Sequence, residues 1–164
     1  MFKSINDGKL PKRATTYSAA FDVFANANMT ILEEKARLVP LGIAIDHNNM
    51  FNHLKKWYGK SVDSEIFRDS FKKIHYFELH PRSSLRPKGL IVIPGIIDID
   101  YEDELEMIIN NPISGVDMSG NTEYKVSIGE KIGQIILKRH EGIMMPEEYT
   151  NDEKRVGGFG STVR

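Results

Sequence analysis

Cysteine is absent from the 164 residues, which excludes disulfides and thiolate metal sites and fits a reducing compartment. Neither sign of charge dominates. Twenty-two Lys and Arg stand against 23 Asp and Glu, a formal net charge of -1. A broadly basic surface for nucleic acid is therefore not favoured, and an anionic ligand must be met by local cations. No apolar run approaches the roughly 20 residues of a membrane-spanning helix. The opening stretch MFKSINDGKLPKR lacks the apolar centre of a signal peptide. Internal repeats and low-complexity tracts are missing as well. The expectation is a soluble, cytoplasmic protein with one domain over 1–164, long enough to bury a core without staples.

What is present reads mostly as short strands. ARLVPLGIAID is apolar and β-compatible around Pro40 and Gly42, and GLIVIPGIIDID bends two apolar runs at Pro94-Gly95 in the manner of a hairpin. FDVFANANMTIL, LEMIINN and YKVSIGEKIGQIILKR continue the pattern. Strands at this spacing point to an all-β sandwich, jelly roll or barrel. One segment differs. In 48–74, Phe51, Leu54, Trp57 and Tyr58 recur at helical spacing, as do Ile66, Phe67 and Phe71, with Gly59 and Ser61 between the halves. This predicts a helical pair inserted in the β domain, its second half capped by Asp63 or Ser64. Trp57 and the methionines, Met144 and Met145 included, are expected to pack. The polar, glycine-rich stretch 150–164 cannot bury enough surface to hold itself, and reads as a flexible arm that orders on a ligand.

Three stretches can carry chemistry. In IIDIDYEDELE, Asp98 follows an apolar strand, a partly desolvated setting that suits a general base or a metal-associated carboxylate; an Asp-rich turn has the same look. In LHPRSSLRPKG, Arg82 precedes Ser83 and Ser84, with Arg86 and Lys88 close behind. Guanidinium, hydroxyls and backbone N–H groups together suit phosphate; a solvated loop is the plainer account. In RVGGFGSTVR, glycines admit close backbone approach, Arg155, Ser161 and Thr162 can donate to phosphate oxygens, and Phe159 can stack on a flat base. The histidines His47, His53, His75, His80 and His140 show no metal-ligand spacing and none is assigned to catalysis. His80 is expected to pack beside the phosphate loop.

Taken in order, LPKRATTYSAAFDVFA, PRSSL, GIIDIDY, GEKIGQIIL and RVGGFGST resemble the five motifs of the trimeric dUTP pyrophosphatases, or dUTPases. The likeness runs from about residue 10 onward, apart from 48–74. It implies a dUTPase-like jelly roll or β-barrel assembled as a homotrimer with active sites shared between subunits, which hydrolyses dUTP to dUMP and pyrophosphate with Mg²⁺ by water attack at the α-phosphate. It further implies Asp98 as the base, Tyr101 beneath the deoxyribose, and Gly95 and Ile96 in the hairpin that reads uracil. Arg82, Ser83, Ser84 and Gln134 would meet the phosphates, and Phe159 would cap the base. Arg155, Ser161 and Thr162 would hold the terminal phosphates, with Lys154 an alternative to Arg155. No direct protein ligand to the metal is implied; Asp22 and Gln134 would act through water, or Asp22 would brace the arginine. Departures include Ala20, Ser84, Ile93-Pro94, Asp103 and Gly133. The alternatives are a dCTP deaminase-like or bifunctional enzyme, whose catalytic glutamate position is Ile108 here, and a regulatory protein of this fold acting through partners. The insertion is a candidate surface for a protein partner, and neither nucleic acid nor membrane is an expected one.

Overall fold

The computed structural model describes residues 1–112 and 123–141. Its strands are β1 (Phe2–Ser4), β2 (Phe21–Phe24), β3 (Met29–Ile31), β4 (Lys35–Pro40) and β5 (Ile43–Ile45), then, after the insertion, β6 (His75–Pro81), β7 (Ile91–Ile93), β8 (Gly95–Asp98), β9 (Glu106–Asn111), β10 (Tyr124–Val126) and β11 (Lys131–Arg139). Helices α1 (His47–Tyr58) and α2 (Glu65–Ile74) lie between β5 and β6, joined by a 3-10 segment at Gly59–Asp63. A second 3-10 segment, Ser83–Lys88, follows β6.

The all-β class with a helical insertion matches expectation. The strands pair antiparallel in four sheets: β2-β11-β6-β8, β4-β9-β7, β1-β5 and β3-β10. Among the described residues these do not close into one barrel. Alternation explains the layers. Along β9, Met107, Ile109 and Asn111 turn inward while Glu106, Ile108 and Asn110 turn out. Phe77 and Leu79 of β6 and Val23 of β2 join Val39, Val92 and Ile109 in one core between the larger sheets. The β4–β5 corner turns at Gly42, whose φ of +65° favours glycine and whose Cα lies against Gly8.

The bend at Pro94 is not a hairpin. β7 pairs with β9, whereas β8 pairs with β6. Pro94 has no N–H to give to a ladder, and the chain passes from one sheet to the other there.

In the insertion, Asp46 caps α1 by accepting from the backbone N–H of Asn49 at 2.9 Å, and Gly59 ends it. Ser64 stands at the cap position of α2 without a side-chain capping bond, and Asp63 pairs instead with Lys55 at 2.7 Å. Met50, Phe51, Leu54, Val62 and Phe71 are buried, each stabilising by on the order of 1.5–3 kcal/mol relative to exposure. Helices of 12 and 10 residues are marginal alone, so this burial holds them in place. Trp57 does not pack as expected: it is 78% exposed, at the last turn of α1.

Candidate active site

Sheet register builds the first half of the site. Gln134 on β11 stands opposite Asp22 on one side and His80 on the other. Arg82, just beyond β6, places its Nε 3.5 Å from Asp22 Oδ1, and Gln134 Nε2 donates to the same oxygen at 3.4 Å. A register shift between Lys131 and Gly133 accompanies a contact of Lys131 Nζ with Asp22 Oδ2 at 2.9 Å. Asp22 is 2% exposed. Burial alone would push its carboxyl up. Hydrogen bonds from Lys131 and Gln134 and the charges of Arg82 and Lys131 outweigh that and hold it below the usual range. Asp22 thus remains an anion that ties two cations and an amide together. Ser83 and Ser84 follow Arg82 with exposed side chains. The cluster can present fixed cations and donors to phosphate oxygens.

Lys131 is the member of this cluster that the motif reading missed. Its signal was a cation three residues ahead of Gln134, inside GEKIGQIIL. His80 does sit beside this region, and its Nε2 contacts Glu78 Oε2 at 3.0 Å. Lys138 reaches the same oxygen at 2.7 Å, and the close contacts of Lys138 and His80 hold the Glu78 carboxyl below its ordinary range.

The second half lies at the other end of β6. Tyr76 pairs with Asp98, the last residue of β8, and the chain then turns, with the Tyr101 N–H donating to the Asp98 carbonyl at 3.2 Å. Asp98 is half-buried and lines an open groove of about 770 Å³, together with Tyr76 and His140 and with Asp69, Lys72 and Lys73 of α2. Tyr101 is half-buried against the core, and its hydroxyl donates to the Glu104 carbonyl at 3.5 Å. Gly95 is open to its surroundings, with no atom within 4 Å of where a Cβ would stand, and Ile96 is 72% exposed. Gly95 and Ile96 do lie beside Asp98, on a strand rather than in a hairpin.

Asp98 and the Arg82 cluster are therefore not brought together within one chain. Tyr76 and Arg82 are six positions apart along β6 and its end, about 20 Å at roughly 3.3 Å per residue. The expected roles of Lys154, Arg155, Phe159, Ser161 and Thr162, and the packing of Met144 and Met145, lie outside the described residues.

Comparison with known proteins agrees with the family resemblance. The dUTPase family model matches residues 71–163. A Rickettsia bellii protein named deoxyuridine 5'-triphosphate nucleotidohydrolase is 31% identical over 163 residues, covering 94% of this chain and 87% of that protein. The Rickettsia felis protein of the same name is 32% identical, covering 94% and 88%. Among solved structures, a Staphylococcus bacteriophage 80alpha dUTPase with dUpNHpp superposes with a TM-score of 0.66 at 16% identity, over 99% of this chain and 96% of that one. The Streptococcus mutans dUTPase gives a TM-score of 0.57 at 21% identity, over 84% and 94%. With the family model and these relatives covering most of its length, the chain belongs to the dUTPase family of enzymes.

Proposed function

We propose that the chain hydrolyses dUTP to dUMP and pyrophosphate in a homotrimer, each site taking Asp98 from one subunit and the Arg82 cluster from a neighbour. The observation that carries this reading is the separation of the two halves at opposite ends of β6. A heterologous interface that closes as a ring brings unlike ends of one element together at every subunit boundary.

In the reaction, Asp98 orients a water and accepts its proton as the oxygen attacks the α-phosphorus. The bond from that phosphorus to the α–β bridging oxygen breaks, and pyrophosphate leaves with the electron pair. Arg82, Ser83 and Ser84 hold the phosphate oxygens, and Asp22 braces Arg82 and Lys131 from behind. Tyr101 lies under the sugar, where contact excludes a 2′-hydroxyl, and backbone groups at Gly95 and Ile96 read the base edge. Phe159 caps the base while Arg155 or Lys154, with Ser161 and Thr162, holds the terminal phosphates. These roles come from the motifs.

Among the described residues no group of three or more His, Asp or Glu is gathered for a metal. Asp22 is already engaged by cations. This donor set suits Mg²⁺ held by phosphate oxygens and water, with Gln134 ordering that water. The ion supplies neutralisation of the triphosphate charge.

The deaminase alternative is less well supported. Ile108 occupies the aligned glutamate position, and Glu104 nearby accepts from the Gly42 N–H at 2.8 Å. Incubation with dUTP, dCTP, dTTP and UTP in turn, with Mg²⁺, following pyrophosphate and ammonia separately, tests the assignment. Pyrophosphate from dUTP far above the other three, without ammonia, is expected. Ammonia from dCTP, or equal turnover of dTTP, would overturn it.

A further inference from the structure

Helix α1 touches the turn that carries Asp98 through its first residue. His47 opens α1, and its Nε2 lies 2.6 Å from the backbone carbonyl oxygen of Ile99, the residue after Asp98. A carbonyl only accepts, so Nε2 carries the proton and donates. The two partners are 52 positions apart in sequence, and this is a tertiary contact between the helical insertion and the turn that holds Asp98 and Tyr101.

The rest of that segment is anchored elsewhere. Its far end is fixed to the β4–β5 corner: the Leu105 N–H donates to Ile43 O at 2.8 Å, the Leu41 N–H to Leu105 O at 3.0 Å, and the Gly42 N–H to Glu104 Oε1 at 2.8 Å. At its near end the Ile99 side chain is 1% exposed and anchors in the core, while the Ile99–Asp100 peptide plane is held by His47. Without that bond the Ile99–Asp100 segment could shift as a whole, and with it the turn that carries Asp98. Misplacement of a catalytic group by about 1 Å can cost on the order of 10²-fold in rate.

We propose that His47 is a positioning residue for the reaction: its Nε2–H holds the Ile99 carbonyl and so fixes the Asp98 carboxylate toward the water it activates. The inference rests on the catalytic reading of Asp98. It gives the insertion a role in turnover through α1, in addition to the groove-lining residues of α2.

Steady-state kinetics and thermal unfolding of variants test it in the full-length protein. His47→Ala is expected to lower kcat by about tenfold, with KM changed less than about threefold. His47→Gln places an amide N–H where Nε2 stood and is expected to restore most of kcat; His47→Asn, whose amide falls short of the Ile99 carbonyl, is not. Asn49→Ala, which loosens the same helical turn by removing its bond to Asp46 without touching Ile99, is expected to leave kcat within about twofold. The proposal fails if His47→Ala keeps kcat within twofold, if His47→Gln falls as far as His47→Ala, or if Asn49→Ala falls as far. Should His47→Ala not fold, the Gln and Asn variants decide by the same comparison, equal rates overturning it. Asp98→Asn is measured alongside. If that variant stays active, the catalytic reading itself is at fault; if it is dead while His47→Ala is unimpaired, only the positioning role is lost.

Discussion

Asp98→Asn and Arg82→Ala chains, each inactive alone, should regain activity when mixed into common trimers. For Asp98 and Arg82 to serve one phosphate, a water about 3 Å from phosphorus must be hydrogen-bonded to the carboxylate while the guanidinium contacts a phosphate oxygen. This sets the two groups within roughly 8 Å of each other. Within one chain the β6 register keeps their positions about 20 Å apart, and the Arg82 guanidinium is engaged by Asp22. Each working site thus needs an intact Asp98 from one chain and an intact Arg82 from its neighbour. In an equimolar mixture with random assembly, the Arg82→Ala chain supplies the former and the Asp98→Asn chain the latter at about one site in four, because each directed boundary in a ring draws its two chains independently. The assay is co-refolding or co-expression with two affinity tags, isolation of mixed trimers, and pyrophosphate release under saturating dUTP. Roughly a quarter of wild-type activity is expected from the unfractionated mixture and about a third from the isolated mixed trimers, each of which holds one such boundary among its three. Mixed trimers with no recovery, or a monomer at full turnover, would refute the shared site.

Other consequences follow from packing and charge. At Gly133 a Cβ would stand 2.2 Å from Met107 Cε and 3.0 Å from the His80 carbonyl. Gly133→Ala should cost about 1–3 kcal/mol in urea unfolding, and less in a chain that also carries Met107→Val; equal costs in both backgrounds would contradict the contact. Asp22 and Glu78, ordinarily at 3.8 and 4.5, both titrate lower in the folded protein. The unfolded chain therefore binds protons first, so the stability they contribute is complete above those ordinary values and drains away as pH falls from them through the lower folded ones. Lys138→Met should flatten this acid dependence of the unfolding midpoint, and a curve parallel to wild type would count against the Glu78 pairing. Removing 155–164 should sharply reduce dUTP turnover while leaving the trimer intact by light scattering; undiminished turnover would exclude the arm from the site.

The five motifs and the β class were legible because they are local. A glycine pair around one phenylalanine, or alternation along LEMIINN, needs no knowledge of distant neighbours. The helical pair was legible for the same reason, since Phe51 and Leu54 mark one face. Trp57 misled because periodicity tells which way a helix faces, not how far the body beneath it extends; at the last turn of α1 the indole stays exposed. Pro94-Gly95 misled because turn chemistry announces a bend without naming the strands that receive the two arms, and β6 and β9, far apart in sequence, took one each. Lys131 acquired its place through a register shift on β11, and the His47–Ile99 contact joins residues that no spacing rule connects. The pattern is consistent: what a short window encodes was readable, and what long-range pairing decides was not.

The central claim is that a water held by Asp98 attacks the α-phosphorus. Hydrolysis of dUTP in heavy-oxygen water, by wild type and by Asp98→Asn at matched folding, tests it most directly. The account expects the label in dUMP alone and a rate lowered by about 10²–10⁴-fold in the variant. Label in pyrophosphate, or an Asp98→Asn chain that turns over like wild type, would contradict it.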